Sequence, residues 1–403
     1  MNWTFLKHEF LLTYRNKKNI PFVVFLCIAL LSYCFLFVPN EVTQETFHVD
    51  EVKSKLTELE AEQEYRLAKG NTGIILFSGM PVFAMNAYSY GMFSAMLAAY
   101  EDGNATRWLH LRANHLEGDS SDYIRDEKLF KDSPFPGKDR EHLYKQTMLR
   151  YETYLAKEHP ITFGMIEEKT GLQALQKFFQ QYGMYFVLFC AIYFSSDLLS
   201  RDRPNKSVLQ GLPLSWYRQL NLKTLSSFFY THAVVGIVLL LGVLLLAFQY
   251  GFGYFDLKIP TILIKDEFPR EHYDVMTIAS FLGEIAIIIP ILVYLFIRLN
   301  VVFSLIFKNE WLVLVISSLL LFSEKIYLTR TSRELFGIDI SFFPQTYFDF
   351  GNVITGEKNF LLNTTTMDFT RGILVLLITV VVMEGILFVL SRIINKRRFY
   401  SNG

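Results

Sequence analysis

Two carboxylates stand inside long apolar stretches of this sequence, Glu284 in MTIASFLGEIAIIIPILVYLFI and Glu384 in ILVLLITVVVMEGILFVL. An ionisable group at the centre of a bilayer costs about 2.5–3.5 kcal/mol on insertion scales, so each acid must face protein or water. Acids so placed line a transport path or a subunit interface; the plainer alternative is a hydrogen bond to a Ser, Thr or Tyr of a neighbouring helix. Other groupings are weaker. Residues 351–358, GNVITGEK, begin like a phosphate-cradling loop, but Glu357 stands where such a loop needs Lys and a carboxylate there repels phosphate, which leaves a turn. Glu167-Glu168 has no Arg shortly after it and no span supplies a paired His, so a membrane endopeptidase does not follow. The eight histidines are scattered, and no H-E-x-x-H, no G-x-S-x-G and no Cys or His pair at metal spacing occurs. The sequence is therefore read as a non-enzyme, with no catalytic, cofactor or metal residues of its own.

The elements that hold the two acids are membrane spans. Of the residues, 51% are hydrophobic and 19% charged, more apolar than a soluble domain, and the excess collects in runs about the length that crosses ~30 Å of hydrocarbon. Five are clear: 21–38, 178–196, 228–248, 276–297 and 373–390. A sixth, 311–323, is short and extends toward Tyr327 if Glu324 and Lys325 sit at the interface. The charge-free stretch 73–100 is not counted, because its Gly, Pro, Asn and Ser residues suit buried or surface-lying helices, and a span there would reverse every later segment. The first run lacks a small-residue cleavage site, which predicts a retained anchor rather than a signal peptide.

Short basic segments favour the cytoplasm. Lys plus Arg against Asp plus Glu reads four to one over 1–19, five to one over 201–224, and four to none from Arg392 onward; the counts are sixteen to twenty-two over 39–177, three to five over 251–275, and five to six over 324–371. The first three read as cytoplasmic, with both termini, and the others as external. Net charge is zero, which gives no reason for nucleic-acid binding. Cys27, Cys34 and Cys190 all fall in spans, so the external region is not disulfide-stapled. Helical spacing of Leu56, Leu59 and Tyr65, and of Tyr144, Met148, Tyr151 and Tyr154, makes that region mostly helical.

Residues 1–19 place Trp3, Leu6, Phe10 and Tyr14 on one face of an interfacial helix. After the second run, SDLLSRDRPNKSVLQGLPLSWYRQLNLKTL offers a basic turn, a short apolar helix at 207–212, then Pro213, Arg218 and Lys223. These stretches, with SLIFKNEWLVLVISSLLL and FPQTYFDFGNVITGEKNF, resemble respectively the leading amphipathic helix, coupling loop, fourth-to-fifth span junction and last external re-entrant segment of permease subunits of ABC exporters, in the exporter class with six-span permeases. The long 39–177 segment, where many such permeases have a short loop, puts the resemblance with the large-ectodomain branch.

The expected architecture is an all-α polytopic membrane protein with about six transmembrane helices: 1–38 as interfacial helix and first span, 39–177 as extracellular domain, and 178–403 as transmembrane domain, including a cytoplasmic coupling loop (197–224) and the external segment 324–371. The resemblance implies a bacterial plasma-membrane permease exporting a peptide, toxin or lipid-like substrate. It implies a second permease chain, identical or homologous, and two copies of a separate ATPase that carries the ATP and Mg. The ATPase would dock on Arg201, Asp202, Arg203, Val208, Leu209, Leu212, Pro213 and Arg218, while Glu284 and Glu384 would line a path or subunit interface. The alternative expectation is a non-transporting sensor or immunity protein whose ectodomain captures a peptide.

Overall fold

The structure, a computed structural model, describes residues 2–43, 45–73, 81–118, 133–156, 159–205, 213–331 and 333–401. The chain opens with α1 (Asn2–Tyr14) and α2 (Asn19–Ser32), which runs on through a π-turn, Tyr33–Phe37. Then come α3 (Val49–Ala68), α4 (Val82–Glu101), α5 (Ala105–Gly118) and α6 (Pro136–Leu155). They are followed by α7 (Gly171–Gln181), α8 (Gly183–Ser195) and α9 (Trp216–Tyr250). Strands β1 (Lys258–Ile264) and β2 (Glu271–Thr277) form a two-stranded sheet ahead of α10 (Ile278–Phe307) and α11 (Glu310–Leu321). After a series of short turns the chain ends in α12 (Phe369–Ile393) and α13 (Lys396–Ser401). Two compact units result: Met1–Pro39 with Gly171–Asp256 and Thr261–Gly403, and Asn40–Thr170 with Leu257–Pro260.

The first is a membrane unit. Among the described residues five helical stretches are long and apolar enough to cross a bilayer: Asn19–Asn40, Gly183–Arg203, Trp216–Tyr250, Ile278–Phe307 and Phe369–Ile393. The sixth run is α11, only 12 residues, or about 18 Å of rise, and the chain turns at Phe322 before the short helix Glu324–Tyr327. Glu324 does not lie at an interface; it is fully buried. The second run begins at Gly183 rather than at 178 because Phe178 belongs to α7, whose ring lies where a side chain at 183 would go, 2.6 Å from that Cβ position. The third begins twelve residues before its apolar run, since α9 has 35 residues, about 52 Å, and its polar first turns extend beyond a ~30 Å core.

Helix α10 is the hub, packed on α8, α9, α11 and α12. Phe281, Ile285, Ile288, Leu292 and Phe296 recur at helical spacing along it and are all buried. Its first turn is capped by Thr277, whose hydroxyl accepts from the Ser280 amide, and α12 starts the same way at Asp368, which accepts from Arg371. By contrast α2 and α12 carry broad exposed apolar faces, among them Phe25, Ile28, Leu374 and Val381.

The other unit is built on α3 to α6, each packed on the next. Its apolar centre joins Phe47, Tyr100, Trp108 and Phe163 in edge and tilted ring contacts. The charge-free stretch contributes α4, with Phe93, Met96 and Ala99 buried, and is not among the apolar crossing helices. On α6, Met148, Tyr151 and Tyr154 are buried as their spacing predicts. On α3, Leu56 and Leu59 are half-buried, but Tyr65 is exposed and the inward stripe passes through Gln63 and Arg66 instead.

Between α11 and α12 the short helix Phe350–Ile354 sits on α7 at Gly351, where an added Cβ would lie within contact of the Phe179 carbonyl oxygen and 2.8 Å from the Gln180 Cα. Gly351→Ala should therefore lower stability by about 1–3 kcal/mol, because backbone cannot yield as a side-chain tip does. Gly283→Ala on α10, with open space at its Cβ, should be neutral or raise stability by up to about 1 kcal/mol through helix propensity. Thermal unfolding of both variants in detergent checks this, and equal losses would contradict the seating of that helix on α7.

Candidate functional site

Among the described residues the buried ion pairs of the membrane unit gather in three clusters. The first joins α1, the turn Ser200–Asn205 after α8, and the first turns of α9. Arg201 and Asp202 lie in that turn, and Lys223 comes two helical turns into α9. Glu9 accepts from Arg201 Nη2 at 2.8 Å and from Lys223 Nζ at 2.7 Å, and Lys223 pairs with Asp202 at 2.6 Å. Arg201 also donates to Thr13, whose hydroxyl donates to the Glu9 carbonyl. Glu9 and Lys223 are each 1% exposed and Asp202 5%, so two acids and two bases balance inside the protein. Burial pushes the Glu9 carboxyl up, but Lys223 and Arg201 outweigh it and hold it below the ordinary carboxylate range. Beside this cluster Lys18 pairs with Asp197 at 3.1 Å and donates to Ser196, while Asn16 donates to the other Asp197 oxygen.

The inward face of α1 is thus Phe5, Glu9 and Thr13, all buried at a spacing of four. Of the expected interfacial stripe, Trp3 and Tyr14 are exposed, while Leu6 and Phe10 are half-buried, Phe10 against Tyr230. The C-terminal helix closes the same end: Phe399 and Tyr400 pack on Trp216, whose indole N–H donates to the Ile394 carbonyl.

The second cluster lies inside the helices. Glu384 on α12 pairs with Arg298 of α10 at 2.6 Å and accepts from the hydroxyls of Tyr294 and Tyr217 at 2.6 and 2.9 Å. Arg298 spends its remaining donors on Thr224 and Asn221 of α9. One ion pair therefore ties α9, α10 and α12 together, and it neutralises two charges that would be costly if left unpaired among apolar helices. Glu284 is elsewhere. Fourteen residues, about 21 Å of helix rise, separate it from Arg298; it is half-buried, and no side chain among the described residues bonds to it. The two acids read together from the sequence do not share a site.

The third cluster is near the far end of the bundle. Buried Glu324 is paired with Lys358 and accepts from the Tyr185 hydroxyl at 2.7 Å. Residues 351–358 form no phosphate cradle: they span the helices Phe350–Ile354 and Glu357–Leu362, hinged at Gly356 with φ +79°, and Lys358 is 3% exposed. In the other unit Glu168 pairs with Arg150 and Glu167 with Lys169, so the paired acids noted in the sequence serve local ion pairs. No group of three or more His, Cys, Asp or Glu suited to a metal occurs among the described residues.

Of the residues assigned to docking, the structure turns three inward. Arg201 and Asp202 belong to the buried cluster, and Arg203 is half-buried and donates to the Lys308 carbonyl. The expectation has Arg201, Arg203 and Arg218 ring a partner contact; in the structure the acids at 9 and 202 neutralise Arg201 and Lys223 within the chain, and Arg203 is held by a backbone carbonyl. Pro213 and Arg218 are exposed, whereas Val208, Leu209 and Leu212 lie outside the described residues. Sequence reasoning missed Glu9, Lys223 and Arg298. The signal for Glu9 was present, since it is the one acid in a basic amphipathic segment and falls on the same helical face as Phe5 and Thr13. No protein-family model, curated protein or solved structure matches the chain.

Lys223→Met should lower stability by about 3–5 kcal/mol, because Glu9 and Asp202 then share one arginine in a buried site. Adding Asp202→Asn restores neutrality and should recover part of that loss in thermal unfolding. The folded Glu9 carboxyl titrates below its ordinary 4.5, so its contribution is whole above about pH 4.5 and fades as pH falls through the lower folded value. Glu9→Gln should remove this part of the acid dependence.

For the second cluster, Glu384→Gln strands the Arg298 guanidinium and should lower stability by on the order of 3 kcal/mol, whereas Glu284→Gln should change it little. Equal effects would mean that the Glu384–Arg298 pair does not hold the helices together.

Proposed function

We propose that this chain is the membrane subunit of an ATP-driven ABC exporter in a bacterial plasma membrane, both its termini cytoplasmic, moving a peptide, toxin or lipid-like substrate. On this reading the unit Asn40–Thr170 is extracellular, a second permease chain pairs with this one, and two copies of a separate ATPase dock beneath the loop between α8 and α9. The observation that supports it is the buried cluster of Glu9, Arg201, Asp202 and Lys223. It fastens an amphipathic helix, the turn leaving α8 and the beginning of α9 into one rigid piece. A loop anchored on both sides can hand a displacement to two apolar helices at once, which a permease needs if the fuel is consumed elsewhere. Beside that piece, Pro213 and Arg218 face solvent and flank residues 206–212, whose sequence KSVLQGL supplies the apolar contact.

Affinity purification of the full chain from its native membranes, followed by mass spectrometry and an ATP-hydrolysis assay, tests the reading. An ATPase should co-purify, and its recovery should drop about tenfold or more when Leu209 and Leu212 are both changed to Asp, which would set two charges into a desolvated contact. Arg218→Glu should have a smaller effect that grows at low salt, as rim charges orient more than they bind. Recovery of no ATPase would favour the sensor or immunity reading; undiminished recovery with the double variant would move the docking contact off this loop.

A further inference from the structure

A groove of about 410 Å³ runs between α2 with its π-turn, α7 and α9, walled by Leu30, Cys34, Ala174, Phe178, Gly242 and Leu246 and lined almost wholly by carbon. We propose that it binds one acyl chain of a membrane lipid. The inference does not depend on the exporter reading.

Three features argue that the groove is built rather than left over. The helices bounding it close on α9 at glycines. A Cβ at Gly242 would lie 2.9 Å from Leu30 Cδ1, and one at Gly171 would lie 2.8 Å from the Val243 carbonyl oxygen, so a leucine of α2 seats at one glycine and α7 meets the backbone of α9 at the other. Between those contacts the space stays open. Secondly, the α2 side carries the π-turn Tyr33–Phe37, an uncommon widening of the helix that collects at functional sites. Tyr33, Cys34 and Phe37 all reach the groove from it.

Thirdly, the groove is continuous with the lipid-facing surface. Phe25, Ile28 and Leu31 on α2, and Ile237, Leu240 and Leu244 on α9, are exposed apolar side chains on the helices that form its walls. That surface and the chemistry select the occupant. A peptide would bring backbone N–H and C=O groups into a site with almost no polar partner for them. A partner helix is about 10 Å across with a 5.4 Å pitch, so a single turn would use up the whole volume. Water, which needs two to four polar partners, finds few on a lining that is almost wholly carbon. A hydrocarbon chain carries no polar atom along its length, and the volume falls within the roughly 300–1,000 Å³ usual for small-molecule sites.

The test uses the purified full chain in nanodiscs of phosphatidylcholine doped with a phosphatidylcholine bearing a diazirine in one acyl chain, illuminated and mapped by peptide mass spectrometry. Label should concentrate on 26–37, 171–178 and 238–246. It should fall about tenfold in Ala174→Trp and in Leu175→Trp, whose indoles would fill the volume the chain needs. Val381→Trp, on an α12 side chain that is 70% exposed and outside the groove, should leave the pattern unchanged. Either groove variant that elutes as the wild type does suffices. Label spread over α2, α9 and α12 in proportion to their exposed surface, or undiminished in a well-folded groove variant, would overturn the proposal and leave only ordinary surface lipid.

Discussion

The buried carboxylate of Glu9 constrains the rest of the membrane unit more than any other group. A carboxylate with 1% exposure has no water to turn to, and it is tolerated only because Arg201 and Lys223 both donate to it. Lys223 in turn needs a second acid, which Asp202 supplies. Four side chains from three segments must therefore be in place together or not at all. This fixes α1 against α9, sets the direction in which the chain leaves α8, and explains why α9 runs on beyond the hydrocarbon: its first two turns are needed to carry Lys223 to its partners.

The other two clusters apply the same principle at other levels. Glu384 and Arg298 close a neutral pair within the helices, with Tyr217 and Tyr294 meeting the remaining carboxylate lone pairs and α9 side chains taking the remaining guanidinium donors. Glu324 and Lys358 do so at the far end, holding the turns after α11 to those before α12. In hydrocarbon, apolar packing alone gives little preference for one helix neighbour over another, since lipid tails are as apolar as leucine. Paired charges and close glycine contacts carry that specificity here, while the buried ridge of α10 supplies the packing.

Apolar runs were enough to read the five long helices from the sequence, because a run of about twenty mostly aliphatic and aromatic residues suits a lipid-crossing helix, whereas the Gly, Pro, Asn and Ser of 73–100 set that charge-free stretch apart. Their ends were not legible where a helix continues into polar residues, as at Trp216–Ser227, or where a ring intervenes, as Phe178 does at Gly183. The amphipathic helix was foreseen with its exposed aromatics, but its buried face was not, since a hydrophobic stripe directs attention to lipid and Glu9 looks like a surface charge. Arg201 and Asp202 misled for the same reason. A basic turn after a span is normally solvated, and only the fold brings Glu9, nearly two hundred residues away in sequence, to bury it. Glu384 was read as lining a path or subunit interface, or else as hydrogen-bonded to a neighbouring Ser, Thr or Tyr, and the structure sets Tyr217 and Tyr294 against it; Arg298 escaped because it sits one residue past the apparent end of its apolar run.

These interactions divide the membrane unit mechanically. α8, α9 and α10 are bound by buried polar contacts at one or more levels, whereas α2 beyond Asn19 meets the bundle mostly through apolar side chains, with the buried Cys34 thiol 4.0 Å from the Gly242 carbonyl oxygen of α9. A load applied near 206–218 would reach α9 through Lys223, α1 through Glu9 and α10 through the bonds of Asn221 and Thr224 to Arg298, because ion pairs in a dry interior resist displacement and apolar contacts slide. The loosest neighbour is then α2, tethered at one end by Lys18 and Asn16 to Asp197 and widened at the other by its π-turn. Movement of the bundle should accordingly appear first as a change in how α2 lies against α7 and α9, the surface with the least polar bonding to keep it closed.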